Sequence, residues 1–97
     1  MKRESSFQHD LIGEIKKRWS GSIVMKNDSG YIQGIPDLTV LFGDRWAMLE
    51  CKRSSNEDHQ PNQDYYVEKT NKMSFSRFIF PENRESVLAE LDAHFRD

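Results

Sequence analysis

The chain has 97 residues, with 14 Lys/Arg against 16 Asp/Glu and a formal charge of −2. That length holds one domain at most, because domains usually run about 100–150 residues. Charged residues make up 31%, yet 36% apolar and 11% aromatic residues still fill one small core. The balance excludes a uniformly basic nucleic-acid coat but not local basic patches: residues 1–34 are net basic, and acid gathers in the middle and at the C-terminal end. No apolar run approaches the roughly 18–20 residues of a membrane helix. Met1-Lys2-Arg3-Glu4-Ser5 turns polar where a signal peptide needs an apolar stretch. The single Cys51 has no intrachain partner, so a reducing, cytoplasmic setting is expected.

Residues 4–19 read as a helix, capped by Ser5 or Ser6, with Phe7, Leu11, Ile12, Ile15 and Trp19 at helical spacing. Residues 22–26 read as a short strand, followed by turn chemistry at Asn27-Asp28-Ser29-Gly30 and a loop at Gly34-Ile35-Pro36. Asp37 to Phe42 and Trp46 to Lys52 read as a hairpin turning at Gly43-Asp44. Both strands are apolar on both faces and are expected centrally, in a sheet covered on two sides. After a polar loop at 53–60, Pro61 opens a helix running to about Lys72. Phe75 to Phe80 reads as a strand stopped by Pro81, and residues 83–95 as a last helix with Val87, Leu88, Leu91 and Phe95 as its stripe. The expectation is an α/β fold in the order αβββαβ, a mixed sheet flanked by helices, with a C-terminal helix added.

Chemistry centres on Asp37 and the trio Glu50-Cys51-Lys52. Strand side chains alternate, so Glu50 and Lys52 share one face and Cys51 takes the other. Charged residues are seldom placed in an interior strand unless they pair or hold a metal. If Phe42 to Arg45 form a four-residue loop, Leu41 faces Trp46 and Asp37 faces Glu50, about 5 Å apart at Cβ. A three-residue loop would instead set Asp37 opposite Cys51, on the wrong face. Two carboxylates that close repel, and a divalent cation removes the conflict; hard oxygen ligands favour Mg²⁺ or Mn²⁺. Lys52 beside it can hold a water or stabilise a phosphate. On the first helix, Glu4 and Gln8 fall in the middle of the apolar stripe, so Glu4 is the candidate third acid, with Gln8 below it and Glu14 in reserve.

Gly34-Ile35-Pro36-Asp37, twelve intervening residues, then Glu50-Cys51-Lys52 resembles the PD-(D/E)xK nuclease motif. Glu4 and Gln8 before the hairpin and Pro61-Asn62-Gln63 after the lysine are similar to the VRR-NUC branch, close to the archaeal-type Holliday junction resolvases and to compact phage nucleases. The resemblance implies a restriction-endonuclease-like core and Mg²⁺-dependent DNA endonuclease activity. Asp37, Glu50 and the Cys51 main-chain carbonyl would bind metal, Lys52 would position the nucleophile, Glu4 would be the helix-borne acid, and Gln63 would reach the site. It also implies 5′-phosphate and 3′-hydroxyl products and a homodimer cutting branched DNA, working in the host-cell cytoplasm if phage-encoded.

Lys2, Arg3 and Arg53 are the foremost candidate phosphate contacts, and the Ser29-Gly30-Tyr31 loop could bring backbone near DNA. A nicking or restriction-type nuclease on duplex DNA, and a non-catalytic DNA-binding module, are the competing readings. His9, His59 and His94 lack zinc-ligand spacing.

Overall fold

The computed structural model describes residues 4–97. Phe7, Leu11, Ile15 and Trp19 recur every four residues, and all four are buried along one side of helix α1 (Glu4–Arg18) and the turn after it. β1 (Ile23–Lys26), β2 (Leu38–Phe42) and β3 (Arg45–Cys51) follow, then α2 (Pro61–Met73), β4 (Ser76–Ile79) and α3 (Arg84–Arg96). The boundaries fall within a residue or two of those the periodicity predicts.

The four strands form one mixed sheet in the order β1-β2-β3-β4, antiparallel except for the parallel β3–β4 pair. Gly43 takes a φ of +63° at the first central position of a two-residue turn, as type II′ hairpins require. That turn pairs Phe42 with Arg45, Leu41 with Trp46 and Leu38 with Leu49. Two-residue and four-residue connections share this register, so the expected facing of Leu41 and Trp46 is found with a tighter turn.

Alternation along the strands divides the sheet into two unlike faces. Leu38 and Val40 of β2, Ala47, Leu49 and Cys51 of β3, and Ile79 of β4 point towards α1 and α3 and join one core with Leu11, Ile15, Val87, Leu88 and Leu91. Trp19 stacks edge-on against Phe95 at 5.4 Å between ring centres, locking the two helices over that face. The opposite face carries Thr39, Trp46, Met48 and Glu50, and α2 covers it only over β3 and β4. Leu41 was expected to be covered, yet it is exposed, as are Ile23 and Met25 beside it, because no element lies over that side of β1 and β2.

α2 itself buries only Val67 and Thr70. Such a thin apolar stripe leaves its position to polar contacts, and those contacts lie at its first turn. Among the described residues no helix is long and apolar enough to cross a membrane.

Candidate active site

Asp37 immediately precedes β2, and one step beyond the Leu38–Leu49 pair lies its register partner, Glu50. Asn27 holds this entry in place. Its backbone N–H donates to the Asp37 carbonyl at 2.8 Å, and its side-chain amide donates to the Pro36 carbonyl at 2.9 Å. The Cys51 N–H donates to Asp37 Oδ2 at 2.9 Å, drawing the carboxyl across to β3. There the Asp37 and Glu50 carboxyls come within hydrogen-bonding reach of each other. Burial pushes the Asp37 carboxyl above the ordinary range; the Cys51 N–H, the Lys52 charge and the Glu50 hydrogen bond pull against it without winning.

Two negative charges at that separation need a shared proton or a cation between them. Mg²⁺ is commonly held by one or two carboxylates with waters completing its shell. The donor set of Asp37, Glu50 and the Cys51 carbonyl, all hard oxygens, fits that chemistry. Among the described residues no cluster of three or more His, Cys, Asp or Glu side chains suited to a metal occurs.

Lys52 continues the face that Glu50 occupies, and both are almost wholly buried, at 3% and 2% exposure. Charges so placed cost several kcal/mol unless they are well paired. Lys52 Nζ donates to Gln63 Oε1 at 2.7 Å and to the Asp58 carbonyl at 3.2 Å, with Glu57 Oε2 at 3.7 Å. Gln63, in the first turn of α2, is the hub. Its Oε1 accepts from Lys52 and from the Gln60 N–H at 3.0 Å, while its Nε2 donates to Glu50 Oε2 at 3.2 Å. One amide thus orients both the acid and the amine while closing the start of its own helix.

Burial would push the Glu57 carboxyl up, but hydrogen bonds from the Arg53 N–H and guanidinium and the Lys52 charge outweigh it and hold it below the usual range. The 53–60 loop is fastened further where the His59 ring stacks on Phe78 at 3.9 Å and meets Asp64 through Nδ1 at 2.9 Å.

Gly34 fixes the other approach to the site. It adopts a φ of +93°, and a Cβ there would lie 2.7 Å from backbone and side-chain carbons of Asn62. Only glycine lets the 28–36 loop pass so close to the start of α2. An open cleft of about 350 Å³ lies between that loop, at Ser29 and Gly30, and α2, at Asn62 and Gln63.

The structure therefore brings together Asp37, Glu50, Cys51, Lys52 and Gln63. Ser29 and Gly30 line the adjoining cleft, whereas Tyr31 is 85% exposed and is not part of its lining. Arg53 is exposed and turned onto Glu57 at 3.3 Å. Gln8 is half-buried on α1. Glu14, the reserve acid, pairs instead with Arg18 at 2.6 Å and approaches Arg84 at 3.9 Å, where α1 meets α3. Lys2, Arg3 and the Glu4 side chain lie outside the described residues.

Sequence reasoning missed Asn27, Glu57, Gln60 and the Asp58 carbonyl. The one signal for Asn27 was its place in an Asn-Asp turn beside the Pro36-Asp37 segment. The others sit in a loop whose path no periodicity marks. No protein-family model, curated protein or solved structure matches this chain.

Proposed function

We propose that the chain is a Mg²⁺- or Mn²⁺-dependent endonuclease of the PD-(D/E)xK type, hydrolysing phosphodiester bonds in branched or otherwise structured DNA. The observation that carries this reading is the meeting of Asp37 and Glu50 across β2 and β3, with the buried Lys52 amine tied to Glu50 through one glutamine. The αβββαβ order of the first six elements supports a restriction-endonuclease-like core.

Asp37, Glu50 and the Cys51 carbonyl would hold the cation, which supplies Lewis-acid stabilisation of phosphoryl oxygens and acidifies water. Lys52 Nζ, by turning one N–H away from its long Glu57 contact, can donate to the attacking water or to a phosphoryl oxygen. The water oxygen bonds phosphorus, the bond to the 3′ oxygen breaks, and a proton ends on that oxygen, leaving 5′-phosphate and 3′-hydroxyl ends. Gln63 acts as a positioning residue for both charged groups. A second copy covering the open β1 edge, where Ile23 and Met25 are exposed, would give the homodimer that cutting two strands asks for.

The test is cleavage of four-way junction, flap and linear duplex DNA with Mg²⁺ or Mn²⁺. Wild-type protein is expected to cut and Asp37→Ala protein to be inactive. Equal cutting by the two would remove the mechanism. Salt-dependent binding with no cutting by the wild type would mark a DNA-binding module instead.

A further inference from the structure

The cleft beside the acid pair has a lining unlike that of a phosphate site. None of its lining side chains is charged; Gln33, Gln60, Asn62 and Gln63 contribute four amides, and Gly30 and Gly34 leave backbone uncovered. The start of α2 offers few N–H groups to an anion. Pro61 has none, and the N–H groups of Gln63 and Asp64 are spent on the Gln60 carbonyl at 2.9 and 3.3 Å. Asp28, whose carboxylate accepts from the Gly30 N–H at 2.8 Å, adds negative charge nearby.

Side-chain amides both donate and accept, which matches the mixed edge of a nucleobase rather than a phosphate. The volume of about 350 Å³ falls within the roughly 300–1,000 Å³ range of small-ligand pockets. Gln63 lines the cleft and also bonds Glu50 and Lys52, so one side chain links the cleft to the acid pair. A base stacked inside a duplex cannot enter such a cleft; an unpaired one can.

We infer that this cleft takes an unpaired nucleobase next to the scissile phosphate, so that the substrate class is DNA with an extrahelical or single-stranded nucleotide at the cut. Gln63 is committed to Lys52 and Glu50 and the Gln60 side chain to the cap of α2, so recognition falls to Gln33 and Asn62. This rests on the nuclease reading for the identity of the phosphate.

The experiment is fluorescence anisotropy in EDTA, where binding is measured without cutting. Three labelled duplexes are compared: fully paired, with one unpaired nucleotide, and with an abasic residue in its place. The unpaired base is expected to bind about tenfold more tightly than either of the others, the discrimination of one well-made base contact. A Gln33→Ala/Asn62→Ala double variant should bring all three within about twofold of one another. Equal binding of the base and the abasic residue by the wild type, which needs no variant to fold, would overturn the inference. So would a double variant that keeps the preference. Metal-dependent cutting of paired DNA, lost in Asp37→Ala and indifferent to the unpaired base, would sink this inference alone. A base preference with no cutting of any substrate would sink the nuclease reading and leave the cleft as a base-binding site.

Discussion

The two faces of one sheet are built on opposite principles. Towards α1 and α3, β3 offers Ala47, Leu49 and Cys51, all without exposure, and the helices answer with leucine, isoleucine and aromatic rings. Towards α2 the same strand offers Glu50 and, just past its end, Lys52; α2 answers with a glutamine and little apolar surface. The first face holds the fold by removing apolar area from water. The second spends buried charge on geometry, which is weak evidence for stability and better evidence for chemistry. A substitution on either face should therefore move a different quantity.

The sharpest break in that contrast comes from Leu49→Ala, which should cost about 2–5 kcal/mol of stability through the cavity it leaves. Denaturant unfolding checks it; a change below about 1 kcal/mol would mean that this face is not the main hold on the fold. Lys52→Met should lower cleavage by roughly 10²–10³-fold, in the range of losing a preorganised donor. Its melting temperature should fall less than that of Leu49→Ala. A variant that cuts at the wild-type rate would place Lys52 outside the chemistry.

Gly34→Ala should cost about 1–3 kcal/mol from its left-handed backbone alone. The added clash with Asn62 should also depress cleavage, by pushing α2 and Gln63 away from Glu50. Wild-type stability and activity in this variant would show that the loop and helix can part freely.

Cation binding sharpens the contrast through pH. The folded-state pKa of Asp37 lies above its ordinary value of 3.8, so metal-free protein loses stability as pH rises from that value through the raised one. A cation competes with the proton, so the gain in melting temperature from added Mn²⁺ should be larger at pH 8 than at pH 5. At a hundredfold excess over Kd the gain reaches about 2.7 kcal/mol. An equal gain at both pH values would argue for a site elsewhere.

The smallest effect belongs to the exposed clasp between α1 and α3, where Arg18 reaches Glu14 at 2.6 Å and Glu85 at 2.9 Å, and Arg84 also pairs with Glu85. Hydrogen bonds from Arg18 hold both carboxyls below their usual 4.5. Their contribution is present above that pH and lost as pH falls through the lowered values. Arg18→Ala should thus cost little at pH 7 and flatten the stability loss below about pH 4.5. An unchanged acid limb in urea titrations would rule the clasp out.

The elements were legible because their signals are local: a helical stripe in α1, β-branched runs in β2 and β3, Pro61 opening α2, and Gly43 at a turn. The Asp37–Glu50 facing was legible for a further reason. Any even-length turn centred on Gly43-Asp44 preserves it, so the turn type did not need to be known. The exposure of Leu41 was not legible, since its strand reads apolar on both faces and nothing nearby says that α2 stops short of β2. Nor was the Asn62 contact that demands Gly34, 28 residues away, or the path that sets the Asp58 carbonyl on Lys52. Those are tertiary facts, and the charge of Glu57 or the amide of Gln60 gains meaning only once the loop between them is folded.

Whether Asp37 and Glu50 share a cation is read directly by the anomalous scattering of Mn²⁺ soaked into crystals of the wild-type protein. One strong peak is expected between Asp37 and Glu50, about 2.0–2.2 Å from a carboxylate oxygen of each, absent in Asp37→Ala crystals. A map with no peak there at saturating Mn²⁺, the two carboxyls still joined to each other, would contradict it.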